Sequence, residues 1–592
     1  MINFIDIESG TLLADIEHNF RVFAGPGAGK THWLVLHIQN ILKKSTRLTP
    51  STRVACISYT NVATEEIRKR LGRTGERVEV CTIHSFLYRY VVKPYLHTLN
   101  AEHGFPCHLV RRHDTHHPTK AKTIVWLKEI DKKRLLAPKM SSTLGRLISE
   151  KLPTLYWRQE NGSWQLDIRD RQNMGQLLNE VCIPELLLVY KKSLWKNGTL
   201  DHDDVLYLAS RLMTTYPVVC ECLSARFQYL FVDEFQDTHP AQTQIVESLA
   251  KAGTVVGVIG DEEQSIYSFL GATPSHFRTL TLAGQQDYHL RKNRRSTENI
   301  ISLLNHVRAD SLKQDSHRCE VGEKVCVLIG TIDKAIAELE PRKIAVDERE
   351  ILTRNNKDAA RIRFGRPPKP STVWSNLFDV DQERAFFLRA VVLSTELARS
   401  KQFGASVDLL LATIWKRDKL QEPLRVPGKL CELGARALVL SLLEAMLHQY
   451  EELCGFTLLR VYEHLGTALT DQHGLTLKKL ITGKGFHQLA DQTAFQAMVE
   501  AARPPEHLHG ARTVHQAKGV EWPSVVVWLS DKQRLDHLVS PHTDCDVEEA
   551  EERRVTYVAL SRARDRLFVV VPEAGESDVK VLAGLGLEVV QL

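Results

Sequence analysis

No run of about 18 apolar residues occurs in the sequence, so nothing in it reads as a membrane-spanning helix. The first residues, MINFIDIESG, lack the basic start and apolar stretch of a secretory leader. There is no Cys-x-x-Cys pair. The 11 cysteines are scattered, several in strand-like apolar runs as Cys56 and Cys182 are, and Cys220 and Cys222 stand too close together for a usual zinc pair. These absences fit a reduced, cytoplasmic setting with no membrane. An excess of one charge is missing too: 77 basic against 72 acidic residues leave +5, which permits an acidic polymer as partner without requiring one. What the chain does have is length. Its 592 residues exceed a single core and suggest about four domains. Hydrophobic content of 43% with 25% charged residues is ordinary for a globular protein.

The most informative stretch is FRVFAGPGAGKT, residues 20–31. Phe20, Val22 and Phe23 read as a short buried strand. Ala24, Gly25, Pro26, Gly27, Ala28, Gly29, Lys30 and Thr31 follow without a gap, and WLVLHIQNIL then carries apolar residues at helical spacing. The strand–loop–helix context lifts a short glycine-rich pattern above chance. Gly25, Gly27 and Gly29 let backbone N–H groups approach an anion, and the helix N-terminus adds partial positive charge. Lys30 would reach the β- and γ-phosphates, and the Thr31 hydroxyl would bind Mg²⁺. The pattern points to a bound nucleoside triphosphate.

A second anchor is FQYLFVDEFQDT, residues 227–238. The buried run Tyr229–Val232 delivers Asp233 and Glu234 at its C-terminal end, where ligands of parallel α/β sheets sit. Asp233 would hold Mg²⁺ and Glu234 would polarise an attacking water. A further buried strand in TVVGVIGDEEQSIYSFLGA (254–272) ends in a polar tip with Asp261, Gln264, Tyr267 and Phe269. Gln264 is placed to sense a γ-phosphate, and the two aromatics to meet bases.

Between these anchors, RVACI (53–57) reads as a strand running into Tyr59, Thr60 and Asn61, followed by the helix ATEEIRKRL with Glu65 and Glu66 in its first turn. VEVCTIHSFLYRYV (78–91) reads as a strand breaking into a loop. With Thr82, His84 and Phe86 these groups suit base stacking and phosphate contact; a capped helix start with core aromatics explains them as well. From 93 to 204 the pattern turns helical and basic. Leu109–Lys139 holds nine basic to three acidic residues around Trp126, which suits either a nucleic-acid face or a solvated one. Cys107, His108, His113, His116 and His117 match no standard zinc spacing.

In order and wording these stretches resemble the superfamily 1 DNA helicases of the UvrD/Rep/PcrA type. AGPGAGKT, SYTN, TIHSF, VDEFQDT and GDEEQSIYSFLGA look like motifs I, Ia, Ib, II and III. LRKNRRST (290–297), RTVHQAKGVEW (512–522) and RRVTYVALSRAR (553–564) look like motifs IV, V and VI. The resemblance implies α/β architecture: two RecA-like motor domains with parallel sheets and two mainly helical insertions. The expected parts are 1–92 and 205–287 for the first motor (1A), 93–204 for its insertion (1B), 288–365 and 506–592 for the second motor (2A), and 366–505 for the second insertion (2B). It further implies ATP and Mg²⁺ as cofactors, single-stranded or partly duplex DNA as partner, and 3′ to 5′ movement with unwinding. Lys30, Asp233, Glu234 and Gln264 become the hydrolytic set, and Arg295 and Arg562 the arginine fingers. Glu521 becomes the ribose ligand, and His515 of motif V joins Tyr59, Thr60, Asn61, His84, Phe86, Tyr267 and Phe269 as DNA contacts.

The departures from the family gather around the adenine. Residues 1–23 contain no glutamine, Arg294 replaces the usual motif IV tyrosine, and His32 replaces the arginine after the loop's threonine. Relaxed nucleotide choice is expected, because an arginine plane can still stack on any base. Leu270 stands where motif III usually has arginine. The second insertion looks short, which sets an ATP-gated regulatory subunit with little unwinding beside the helicase reading. A last strand is expected at Leu567–Val571, with no room for a fused nuclease. The build looks like stand-alone helicases that work beside a separate OLD-family nuclease, as in Gabija-type antiphage systems.

Overall fold

Runs of Val, Ile, Phe and Ala that are apolar on both faces demand a parallel sheet covered by helices, and two such sheets form. The structure, a computed structural model, describes residues 4–99, 110, 113–114, 118, 120–160, 163–169, 171, 174–268, 271, 275–339, 342, 344, 348–364, 374, 376–377, 380–416, 419–421, 423–425, 431–480, 485–502, 509–541 and 545–592. Two compact units result, one of Met1–Arg354 with Arg512–Leu592 and one of Asn355–Ala511.

The first sheet holds β1 (Phe4–Ile7), β2 (Phe20–Ala24), β3 (Arg53–Ser58), β4 (Val78–Thr82), β5 (Phe227–Val232), β6 (Val255–Gly260) and β7 (Gln286–Leu290). Their spatial order is β1-β7-β2-β6-β5-β3-β4, and every pairing is parallel. All C-terminal ends therefore point to one edge, which gathers the ends of β2, β5 and β6 side by side. The helix Lys30–Lys44 buries Trp33, Leu34, Val35, His37, Ile38 and Ile41, the stripe expected of 3.6-residue periodicity, and ends in Lys43 and Lys44 as the dipole prefers.

The second sheet holds β8 (Cys326–Ile329), β9 (Arg349–Thr353), β10 (Ala511–Thr513), β11 (Trp522–Trp528), β12 (Ala563–Val571) and β13 (Glu588–Gln591). The order is β10-β9-β11-β12-β8-β13, parallel from β9 to β13. Its core, with Val327, Leu352, Val525, Val558 and Val569, also takes in Ile266 from the end of the first sheet's motif III segment.

The first insertion shares one hydrophobic core with the first sheet, running from Ile57 and Phe86 through Trp126, Leu187 and Trp195 to Leu208. It also carries an antiparallel hairpin, Leu155–Glu160 with Ser163–Ile168. The unit Asn355–Ala511 is built on helices Gln382–Arg399, Phe403–Ile414, Glu432–His448 and Leu458–His473 around Leu388, Val391, Leu442 and Leu465.

Four local expectations are corrected. After β4 the chain enters a helix, Ile83–Leu87, rather than a loop, because the Thr82 hydroxyl accepts the Ser85 N–H and caps it. The next helix back starts at Asn61, so Glu65 and Glu66 fall beyond its first turn. Trp126 is fully buried, its indole N–H donating to Leu186 O at 2.8 Å, and no nucleic-acid face includes it. β12 begins at Ala563 and is not the last strand, since helix Glu576–Gly584 and β13 follow and close the sheet edge.

Candidate nucleotide and nucleic-acid site

The loop between β2 and the helix Lys30–Lys44 turns on Gly27 (φ 69°) and Gly29 (φ 82°). Both are left-handed positions that admit glycine best. Space requires glycine as well: a Cβ on Gly27 would fall 2.6 Å from Asn293 Oδ1 and 2.7 Å from Arg295 Cβ, and one on Gly25 2.5 Å from the Gln314 amide. The segment after β7 thus lies directly on the loop. Arg294 N–H donates to Gly27 O at 2.9 Å, and Gln314 Nε2 to Pro26 O at 3.0 Å.

Lys30 Nζ reaches Glu234 Oε2 at 3.4 Å. Glu234 sits just past β5 in a left-handed conformation, φ 55° and ψ 43°, unusual for a residue with a Cβ. Burial pushes its carboxyl up, but Lys30, Lys518, a 2.5 Å hydrogen bond from Gln236 Nε2 and Arg562 outweigh that and hold it near 2. Asp233 is raised instead, by burial and then by Glu234; its Oδ1 accepts the Glu234 N–H at 3.0 Å.

Gln264 Nε2 donates to Asp261 Oδ2 at 2.6 Å, and its Oε1 accepts from Arg562 Nη2 at 3.1 Å. Arg562 is buried and lies just past the helix Val547–Leu560, so a residue of the second sheet's side touches Gln264 of the first directly. Burial and then Arg295 press its guanidinium below the usual range. Arg295 donates to Glu521 Oε2 at 2.5 Å and to Ser561 O at 2.9 Å. Arg294 lies at the helix end of the loop: its Nη1 meets His317 Nε2 at 2.7 Å and its Nη2 stands 3.8 Å from Glu8, while Ser9 closes on Gly29. His32 is exposed beside them, and Thr31 is half-buried at the start of the helix.

Several groups here have no role in the sequence reading. Gln236 links Glu234 to the backbone N–H of Asp261 (3.0 Å). Lys518 joins Asp237 (2.5 Å) to the Gln264 carbonyl (2.6 Å) and lies 4.9 Å from the centre of the Tyr267 ring. Arg308 grips Asp261 through two bonds and Tyr557 through a third. Gln236 and Lys518 stand inside quoted motifs, so they were findable; Arg308, Glu8 and His317 lie outside every motif and emerge only from the fold.

The segment brings Tyr59 and Tyr267 together, ring centroids 5.0 Å apart and 22° from parallel. His515 adjoins them, 6.0 Å from Tyr267. Thr60 caps the helix Asn61–Leu71 by accepting the Ala63 N–H at 3.1 Å, with Asn61 exposed beside it. His84 packs instead against His202 and His113, and burial followed by those two imidazoles brings it down to about 3. The expectation that Phe86 stacks a base is corrected: its ring is 1% exposed and lies in the core against Phe227 and Tyr90. Phe269 and Leu270 lie outside the described residues, as do Cys107, His108, His116 and His117. Among the described residues no group of three or more His, Cys, Asp or Glu is placed to hold a metal. Nor is any helix there long and apolar enough to cross a membrane.

Residues 8–283 match the UvrD/REP helicase N-terminal domain, and residues 511–573 match the UvrD-like helicase C-terminal domain. The chain belongs to the UvrD-like helicase family. The two matches take in the phosphate loop, Asp233, Glu234 and Gln264 on one side and Glu521 and Arg562 on the other, so the two parallel sheets are the two RecA-like domains of a UvrD-like helicase. The chain is 23% identical over 642 residues to the ATP-dependent DNA helicase PcrA of Staphylococcus aureus, covering 96% of this chain and 83% of that protein. It is 22% identical over 656 residues to PcrA of Staphylococcus epidermidis, with the same coverage. An arterivirus helicase, nonstructural protein 10, aligns with a TM-score of 0.30 at 9% identity, over 96% of this chain and 61% of that one. As a UvrD/PcrA-type helicase the protein is an ATP-dependent DNA helicase enzyme.

Proposed function

We propose that this UvrD-like helicase hydrolyses ATP at the loop 24–31 and uses closure of its two RecA-like domains to move 3′ to 5′ along single-stranded DNA, separating duplex as it goes. The observation that carries the reading is the convergence of Lys30, Glu234 and Gln264 from the first sheet's edge with Arg295, from the segment after β7, and Arg562, from the second sheet's side, joined by the 3.1 Å bond from Arg562 to Gln264. Cations that reach the site from the far side of a cleft complete it only when it closes, which couples transition-state stabilisation to domain motion.

In this reading the loop amides and Lys30 bind the phosphates. Glu234, its carboxyl held low by the surrounding cations, orients the attacking water, Gln264 senses the γ-phosphate, and Arg295 and Arg562 neutralise charge as it develops. The buried Asp233 carboxyl, pushed up by its neighbour, is the environment that a divalent cation relieves, so it and Thr31 fit Mg²⁺. One carboxylate and one hydroxyl are the sparse protein set that Mg²⁺ uses beside phosphates. Bound there, the ion would neutralise phosphate oxygens.

Glu521 takes the ribose, and Arg294 and His32 the base. Tyr59, Tyr267 and His515 form the base platform, with Thr60, Asn61 and His84 at its margin. Pairing with a separate nuclease rests on the compact build alone.

Strand displacement tests the reading. With a labelled duplex bearing either a 3′ or a 5′ single-stranded tail, ATP should release the strand only from the 3′-tailed substrate. Release from the 5′-tailed duplex would reverse the polarity, and release from neither, with turnover intact, would favour the ATP-gated regulatory subunit.

A further inference from the structure

The hairpin of the first insertion is fastened to the nucleic-acid side of the core by aromatic packing. Trp157 stacks on Tyr207 with centroids 3.7 Å apart, and Trp164 meets the same ring edge-on at 5.6 Å. Trp164 also lies parallel to His239, 6.3 Å away, at the start of the helix Pro240–Lys251 that follows motif II. Arg169, just past the second strand, leaves this joint toward the platform. Its guanidinium sits 4.1 Å over the Tyr156 ring. A Cβ on Gly271, at the end of motif III, would lie 3.2 Å from Arg169 Nη1 and 3.0 Å from His239. Arg169 also acts on Tyr59, whose hydroxyl burial raises and Arg169 lowers. Asp203 stands 3.9 Å from Arg169, which keeps 22% of its side-chain surface.

A permanently charged planar group, braced on an aromatic ring and packed against the end of motif III, is an arrangement that can fix the phosphate next to a stacked base. We propose that Arg169, held in place by Tyr156, is a phosphate contact that carries single-stranded DNA from the Tyr59–Tyr267 platform onto the hairpin of the first insertion. This rests on the reading of that platform as a DNA surface. It gives the insertion a second task besides packing, and it ties strand occupancy to the segments that leave motifs II and III.

The test is equilibrium binding of a fluorescein-labelled oligothymidylate of about 20 nucleotides to the full chain across a potassium chloride series. Arg169→Ala should weaken binding about tenfold and lower the slope of log affinity against log salt by about 0.7, the loss of one single-strand phosphate contact. Tyr156→Ala should weaken binding, Tyr156→Phe should restore it, and Asp203→Asn, which removes the opposing charge, should tighten it. A purely structural joint would leave the salt slope unmoved and would make Asp203→Asn neutral or harmful. If the unaltered chain binds the oligonucleotide and Arg169→Ala matches it in affinity and slope, this assignment is overturned alone. If the unaltered chain does not bind at all, the DNA reading falls with it.

Discussion

In the proposed mechanism Glu234 orients the attacking water rather than carrying a proton. The cations around it hold its carboxyl below the ordinary glutamate range, which favours the ionised form at neutral pH. Glu234→Gln should therefore cut turnover by about a hundredfold or more while leaving binding of a fluorescent ATP analogue within a few-fold. Retained turnover would remove it from the mechanism. Gly27→Ala tests the loop itself. With φ at 69° and Asn293 Oδ1 at 2.6 Å, the added methyl must displace either the loop or the arginine-bearing segment. A displacement of about 1 Å is enough for a hundredfold loss of turnover with the fold intact by circular dichroism. At the base end proposed for the site, Arg294 is bonded to His317 and faces Glu8, a charged pairing rather than a donor–acceptor pair matched to one base edge. Turnover of ATP, GTP and CTP should accordingly fall within about a hundredfold of one another, under about 2.7 kcal/mol of discrimination; a larger ATP preference would contradict this. The candidates that meet in the structure, Lys30, Glu234, Gln264, Arg295 and Arg562, were legible because phosphate chemistry needs particular residue types at fixed spacing. Phe86 was misread because a motif says which residues travel together and not which face a side chain takes.

The helix Lys30–Lys44 carries an acid-sensitive element. His37 is buried, stacked 5.0 Å from Trp33 at 5°, and among the described residues neither of its ring nitrogens has a hydrogen-bond partner. Burial, aided by His18, lowers its pKa from 6.5 to about 3. Below pH 6.5 the unfolded chain binds this proton and the folded chain does not, so stability falls as pH drops from 6.5 toward 3. Between pH 6.5 and 5 the loss is about 2 kcal/mol from this one group. Denaturant midpoints at the two pH values should show it, and His37→Leu should flatten that dependence. A second element-scale device is Arg308, at the end of the helix Glu298–Val307, which is buried with Asp261 at the tip of β6. Arg308→Ala leaves that carboxylate without its cation and should cost about 3–5 kcal/mol by denaturant unfolding; an unchanged midpoint would show that the network contributes nothing net. Helix and strand positions were readable where periodicity was strong, as in β2 and the helix after it. The helix Ile83–Leu87 was legible only as the alternative of a capped helix start, because one side-chain cap, Thr82 to Ser85, decides between helix and loop.

At the scale of the molecule, two parallel sheets were legible from the repeated passage of apolar strand into polar tip, but their strand orders were not. Order is set by long-range pairing: β7 lies between β1 and β2, and β13, from the last residues, lies beside β8. The first insertion likewise read as helical and basic, since its hairpin is short and Trp157, Trp164 and Tyr207 meet only in space. The cleft between the sheets is the central structural claim, because the site is complete only with groups from both. Its most direct test is ATP turnover by the full chain with and without single-stranded DNA, alongside Lys30→Ala. Strong stimulation by DNA that Lys30→Ala abolishes is expected. Turnover absent in both conditions from folded protein, or equal turnover by Lys30→Ala, would contradict it.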